Sequence, residues 1–174
     1  VKQDLQIIDA DVHPWVPGDI EGLKPYMSHS WQKRFDGKRA ILPDHPLRPP
    51  LAGNTSIRQD TTTPAGEPGG SCPHFLREDH LDKLNIEYAV LSSIQAGKLV
   101  AYPNAAEATV LASAFNDYFI DRWLPVDGRY RLAICVAVHD PVAAAAEIRR
   151  VGGLPEVVAV YMPLMNILMG NPHY

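Results

Sequence analysis

The chain has 174 residues, 46% of them hydrophobic, with 16 Lys and Arg against 20 Asp and Glu for a formal net charge of −4. That length suffices for one domain with a substantial core. The mildly acidic balance leaves no basic footprint for nucleic acid or an anionic membrane.

The first element in chain order is a strand over Leu5–Val12, within "LQIIDADVHPW". Side chains in a strand alternate between faces. Ile7, Asp9, Asp11 and His13 are therefore expected on one side, and Ile8, Ala10 and Val12 on an apolar side that packs under helices. Pro14 ends the strand's ladder. A long insert follows, residues 17–73, whose second half, "LPDHPLRPPLAGNTSIRQDTTTPAGEPGGSCP", is crowded with Pro, Gly and Thr and shows no periodicity. Structureless stretches of this length inside a domain are usually functional lids or disordered segments. Its place after the first strand predicts that it folds over the sheet's carboxyl edge or makes a subunit contact.

A second strand is expected over Ile86–Ile94, a third over Tyr130–Val138 and a fourth over Val157–Met162. Runs such as "AVLSSI" and "LAICVAV" are continuously apolar, which suits a covered parallel sheet. Between strands, "PNAAEATVLASAFNDYFIDRWL" reads as a helix capped by Asn104, with Glu107 three residues on and a stripe of Val110, Leu111, Ala114, Phe115, Tyr118, Phe119, Arg122 and Trp123. "HDPVAAAAEIRRVGG" reads as a second helix, with Asp140 as cap, Pro141 at the first position, Arg149 and Arg150 at the carboxyl end and Gly152–Gly153 as terminator. Strand and helix alternate, so the fold class is α/β with βα units around a parallel sheet. The last strand is followed by "PLMNILMGNPHY" without a covering helix.

No segment reads as a signal peptide or a membrane span. Cys72 and Cys135, the two cysteines, form neither a disulfide framework nor a zinc-ribbon spacing. Cys135 reads as a buried small hydrophobe, and a reducing cytoplasmic setting is the default expectation.

Asp11 and His13 stand one pleat repeat apart at the carboxyl end of the first strand. Sites in barrels and open α/β sheets form at that edge, and a carboxylate with an imidazole gives two ligands for a divalent ion such as zinc or manganese. A strand-end Asp and His can equally only cap a loop, and two ligands fall short of the three protein ligands of a usual catalytic zinc site. Asp9 lies deeper and is expected to be structural or to support the ligands. Trp15, Gln95 and His139 lie at the same edge and are the candidate substrate-binding residues. His80 reads as a helix surface or packing residue; His29, His45 and His74 carry no ligand spacing, and His173 lies in the loop after the fourth strand. There is no Gly-rich phosphate loop and no Gly-x-Ser-x-Gly elbow.

"IIDADVHPW", followed in order by "HLDKLNIEYAVL", "AFNDYFIDRWL", "GRYRLAICVAVHDPVAAAAEIRRV" and "NPHY", resembles the amino-terminal half of an amidohydrolase-related protein. This branch of the amidohydrolase superfamily includes metal-dependent hydrolases and nonoxidative decarboxylases of aromatic acids. The resemblance implies a (β/α)₈ TIM barrel, of which residues 1–174 would be about the first four βα units with a long insert after strand 1. It also implies one divalent metal ion, zinc first and manganese second, held by Asp11 and His13. Asp11 stands where the family's first-strand motif often has a histidine. The remaining ligands and the catalytic groups would lie beyond Tyr174.

The expected function is therefore metal-dependent hydrolysis or decarboxylation of a small organic acid, amide or ester. The expected partners are the small-molecule substrate and either a second copy or a carboxyl-terminal half. The rival reading is a truncated, non-catalytic half-barrel acting as a binding or assembly module.

Overall fold

The computed structural model describes residues 5–37, 59–162 and Gly170. Four strands, β1 (Ile7–Val12), β2 (Ile86–Leu91), β3 (Tyr130–Cys135) and β4 (Val157–Tyr161), form one parallel sheet in the order β1-β2-β3-β4. Each strand joins beside its predecessor, an order compatible with part of an α/β barrel. The helices are α1 (Ile20–Leu23), α2 (His29–Arg34), α3 (Pro73–Leu76), α4 (Ala105–Arg122) and α5 (Pro141–Val151). A π-helical turn, Arg77–Asp82, continues α3 toward β2.

Both long helices begin where the sequence marks them. The Asn104 side chain accepts from the Ala106 and Glu107 amides, and that of Asp140 from Val142 and Ala143, satisfying N–H groups that a helix start leaves without partners. The Glu107 carboxylate accepts from Arg34 Nε at 2.6 Å, which ties α2 to α4. Arg122, placed by period in the apolar stripe, is exposed, whereas Trp123 beside it is fully buried.

The core lies between the sheet and α4. Ala89 and Leu91 of β2 align with Tyr130 and Leu132 of β3, and all four are buried with Phe115, Phe119 and Trp123. Trp123 meets Tyr130 edge to face at 5.7 Å. Burial of each such side chain contributes about 1.5–3 kcal/mol. The alternate residues Tyr88, Val90 and Arg131 face the other way and are half-buried, with the Arg131 guanidinium 4.3 Å from the Tyr88 ring centre. The outer strands leave Ile8 60%, Val158 53% and Val160 40% exposed. The continuous apolar runs thus belong to a sheet whose two middle strands are covered and whose outer strands are open.

β2 and β3 end three residues earlier than their apolar runs suggest. Val136, Ala137 and Val138 stay buried but leave the ladder, so hydrophobicity alone overstates the strand length. Cys135 is buried with its thiol donating to the Ala112 carbonyl, and burial pushes the thiol well above its ordinary range. Cys72 and Cys135 are both free thiols. Among the described residues no helix is long and apolar enough to cross a membrane.

Two acid–base networks brace the fold, one around the buried Glu147 and one around Asp127. Burial alone would push the Glu147 carboxyl up, but bonds from Arg150, Asn116 and Ser113 outweigh it and hold the carboxyl below its usual value. The Arg129 guanidinium, against the opposing effect of burial, does the same for Asp127. A carboxyl lowered in the folded state adds stability that is complete above its unfolded pKa, near 4, and lost as pH falls through the folded value. The urea midpoint is therefore expected to fall between pH 6 and pH 3, and to fall less in Glu147→Gln. A midpoint independent of pH in that window would contradict this.

Candidate metal-binding site

β1 enters the site through an irregular stretch. Its pairing with β2 shifts register between Ile7 and Ile8 and again between Asp9 and Val12. Such a bulge adds a residue to one strand and re-aims its side chains. The strict alternation expected from sequence is therefore not kept. Val12 is buried in the core opposite Leu91. Asp9 turns to His80 in the π-helical turn, with Oδ2 2.7 Å from Nε2. Asp11 and His13 remain together at the carboxyl end.

Ser92, the first residue after β2, organises that pair. Its hydroxyl donates to Asp11 Oδ1 at 2.9 Å, and its carbonyl lies 2.9 Å from His13 Nδ1. A carbonyl only accepts, so Nδ1 carries the hydrogen and Nε2 presents its lone pair in the neutral ring. Asp11 Oδ2 and His13 Nε2 then present lone pairs 3.6 Å apart, on side chains 75% and 44% exposed. Two ligands of a tetrahedral ion at bond lengths of about 2.0–2.1 Å lie roughly 3.3–3.4 Å apart, so the pair needs only a small adjustment to share an ion. Metal-binding histidines characteristically donate their other N–H to a carbonyl or carboxylate, as His13 does here. The carboxylate and imidazole fit zinc or manganese. Among the described residues no group of three or more His, Cys, Asp or Glu is placed to hold a metal; Asp11 and His13 are a candidate pair only.

The other candidates sit near this edge in different roles. Gln95 is fully buried and spans the loop after β1: its Oε1 accepts from the Val16 amide at 2.6 Å, and its Nε2 donates to Val16 O and to Asp19 Oδ1. Its amide holds the scaffold beneath the site. Trp15 is half-buried, and its backbone N–H donates to the Gly70 carbonyl at 2.7 Å. His139 is half-buried, with Nε2 3.3 Å from the Val100 carbonyl and a buried Nδ1 that has no partner among the described residues. His29 and His74 are exposed; His45 and His173 lie outside the described residues, as does part of the insert's Pro-rich half.

The described end of the insert does pack against the site strand. Gly70 has φ +81°, and a Cβ there would stand 2.5 Å from the His13 carbonyl oxygen. Only glycine combines that backbone angle with so close an approach. Behind it Thr63, Glu67 and Ser71 bond to one another and to neighbouring backbone, which gives the loop internal order.

Ser92 and Tyr161 are edge residues that sequence reasoning missed. "LSSI" at the end of an apolar run was a usable signal for Ser92. Tyr161, at the end of β4, places its hydroxyl over Gly97, where an added Cβ would lie 2.9 Å away. Burial, the largest cause, pushes that hydroxyl's pKa above its ordinary value.

Ser92→Ala removes the hydroxyl bond to Asp11 and keeps the carbonyl that orients His13. Zinc affinity is expected to fall roughly tenfold, at the low end of what outer partners contribute, with little change in melting temperature. Isothermal titration checks the first part and calorimetry the second.

No protein-family model matches the chain, and no curated protein matches it.

Proposed function

We propose that the chain is the metal-binding, amino-terminal half of a (β/α)₈ enzyme of the amidohydrolase-related family, a hydrolase or nonoxidative decarboxylase of a small organic acid, amide or ester. The observation that carries this reading is the Ser92 clasp. One residue engages Asp11 Oδ1 and His13 Nδ1 and leaves Oδ2 and Nε2 free, side by side, at the carboxyl edge of a parallel sheet. The consecutive strand order supports the barrel, since eight such strands close into one.

Asp11 and His13 would hold the divalent ion, and Ser92 would fix their orientation. When bound, such an ion supplies Lewis-acid polarisation of a substrate carbonyl or carboxylate oxygen. Trp15, backed by the Gly70 loop, would wall one side of the substrate, and His139 and Tyr161 would face it from the far strands. Further ligands and the proton-transfer group would come from a carboxyl-terminal half or a second copy.

Native mass spectrometry of the chain with added zinc tests this reading. One zinc per chain, or per closed assembly, supports it and directs a screen of aromatic acids and their amides. A second reading, a non-catalytic assembly module, is favoured by the exposed Ile8, Val158 and Val160 on the outer strands, because open edges and apolar faces invite association. Concentration-dependent association without stoichiometric zinc would select that reading and overturn the enzyme.

A further inference from the structure

We infer that Asp9 and His80 are a positioning pair that sets the aim of Asp11 and His13; its functional meaning rests on the metal-site reading above. Asp9 bonds in two directions. Its Oδ1 accepts from the Asp11 amide at 3.2 Å, and its Oδ2 accepts from His80 Nε2 at 2.7 Å. The first bond holds the backbone of the residue that presents the carboxylate ligand. The second anchors Asp9 to a different element, the π-helical turn Arg77–Asp82.

Both elements depart from regular geometry where they meet. β1 slips register between Asp9 and Val12, and the turn that carries His80 is wound with an extra residue relative to an α-helix. π-helical turns of this kind occur frequently at functional sites. Leu81, next to His80, is fully buried in the core, so the turn is a fixed support. A regular β1 would send Asp9 to the face of Asp11 and His13; here the bulge lets Asp9 reach back to His80 while Asp11 and His13 point forward to Ser92. The pair is only about two-thirds buried, its side chains 30% and 33% exposed, and partly exposed pairs contribute little to stability. Holding the bulge is the role its geometry fits.

The test uses the full chain, with cobalt(II) as the metal probe and metal-free imidazole and amide NMR as an independent readout. In the wild type His13 is expected as a single tautomer with hydrogen on Nδ1. His80→Phe is expected to give mixed His13 tautomers, faster exchange of the Asp11 amide, and a cobalt dissociation constant raised roughly 10- to 100-fold. His80→Gln, which retains a donor for Asp9, is expected to rescue most of each loss. Unchanged tautomer and amide exchange in a folded His80→Phe protein would overturn the inference, whatever the cobalt result. If the wild type takes up no cobalt, the metal-site reading fails, while the metal-free readouts still decide the positioning role. Should His80→Phe not fold, Asp9→Asn takes its place, with smaller changes expected in the same direction and no change in either metal-free readout overturning the inference.

Discussion

Asn116→Ala is expected to lower the unfolding free energy by about 3–5 kcal/mol, given about 1–3 kcal/mol for each buried polar group left without a partner. Asn116 is 1% exposed in the middle of α4. Its Oδ1 accepts from the Cys135 amide at 2.8 Å, and its Nδ2 donates to the Cys135 carbonyl at 2.9 Å and to Glu147 Oε1 at 2.7 Å. One side chain thus closes both backbone groups at the end of β3 and connects them to α5. Alanine strands the two Cys135 groups away from water and removes one donor from Glu147, which keeps Arg150 and Ser113. Against a typical domain stability of roughly 5–15 kcal/mol, that loss removes a large share. Asn116→Asp retains the acceptor for the Cys135 amide but adds a charge beside the Glu147 carboxylate, so it is expected to rescue nothing. Urea unfolding of the three proteins checks this, and an alanine variant within about 1 kcal/mol of wild type would contradict it.

The second large effect is on metal binding. Asp11→Ala and His13→Ala are each expected to weaken zinc binding by more than the roughly 10- to 100-fold that loss of a supporting partner costs. Together they should remove stoichiometric zinc from the native mass spectrum. The reason is the small ligand count: with two donors, removal of either leaves a single bond to the protein. Asp11→Asn should fall between, since its carbonyl oxygen can bind but brings no charge. The Asp11 side chain is largely exposed and that of His13 partly so, so the melting temperatures should move little, and lost zinc cannot then be ascribed to unfolding. Zinc retained by the double variant would place the metal elsewhere and remove the basis for the site.

Much of this was legible because it is local. The Asn104 and Asp140 caps sit within three residues of the amides they bind. The four strands were marked by apolar, β-branched runs, and their parallel arrangement by the alternation of strand and helix. Asp11 and His13 were marked by charge in an otherwise apolar strand. They lie side by side, 3.6 Å apart, although the register shift between Asp9 and Val12 interrupts the alternation on which the spacing argument rested.

Other features could not be read from sequence because their partners lie far along the chain. His13 and Ser92 are 79 positions apart, as are Gln95 and the Val16 amide it holds. Asp9 and His80 are separated by 71 positions. Gln95, expected as a substrate contact, is enclosed by the loop after β1; His80, expected as a helix surface or packing residue, is half-buried and bonded to Asp9. Asn116 fell outside the apolar stripe of α4 because period counts hydrophobicity, and a buried amide satisfied by backbone is invisible to it.

The sequence by itself determined the α/β class, the order of the elements, their caps and the pair of candidate ligands. Each of these follows from side-chain period and short-range hydrogen bonding. Only the tertiary structure decided the bulge in β1, the tautomer of His13, the scaffold role of Gln95 and the clasp by Ser92. Those depend on which unsatisfied polar groups the packed sheet brings within hydrogen-bond reach, a property of three-dimensional proximity that spacing along the chain does not encode.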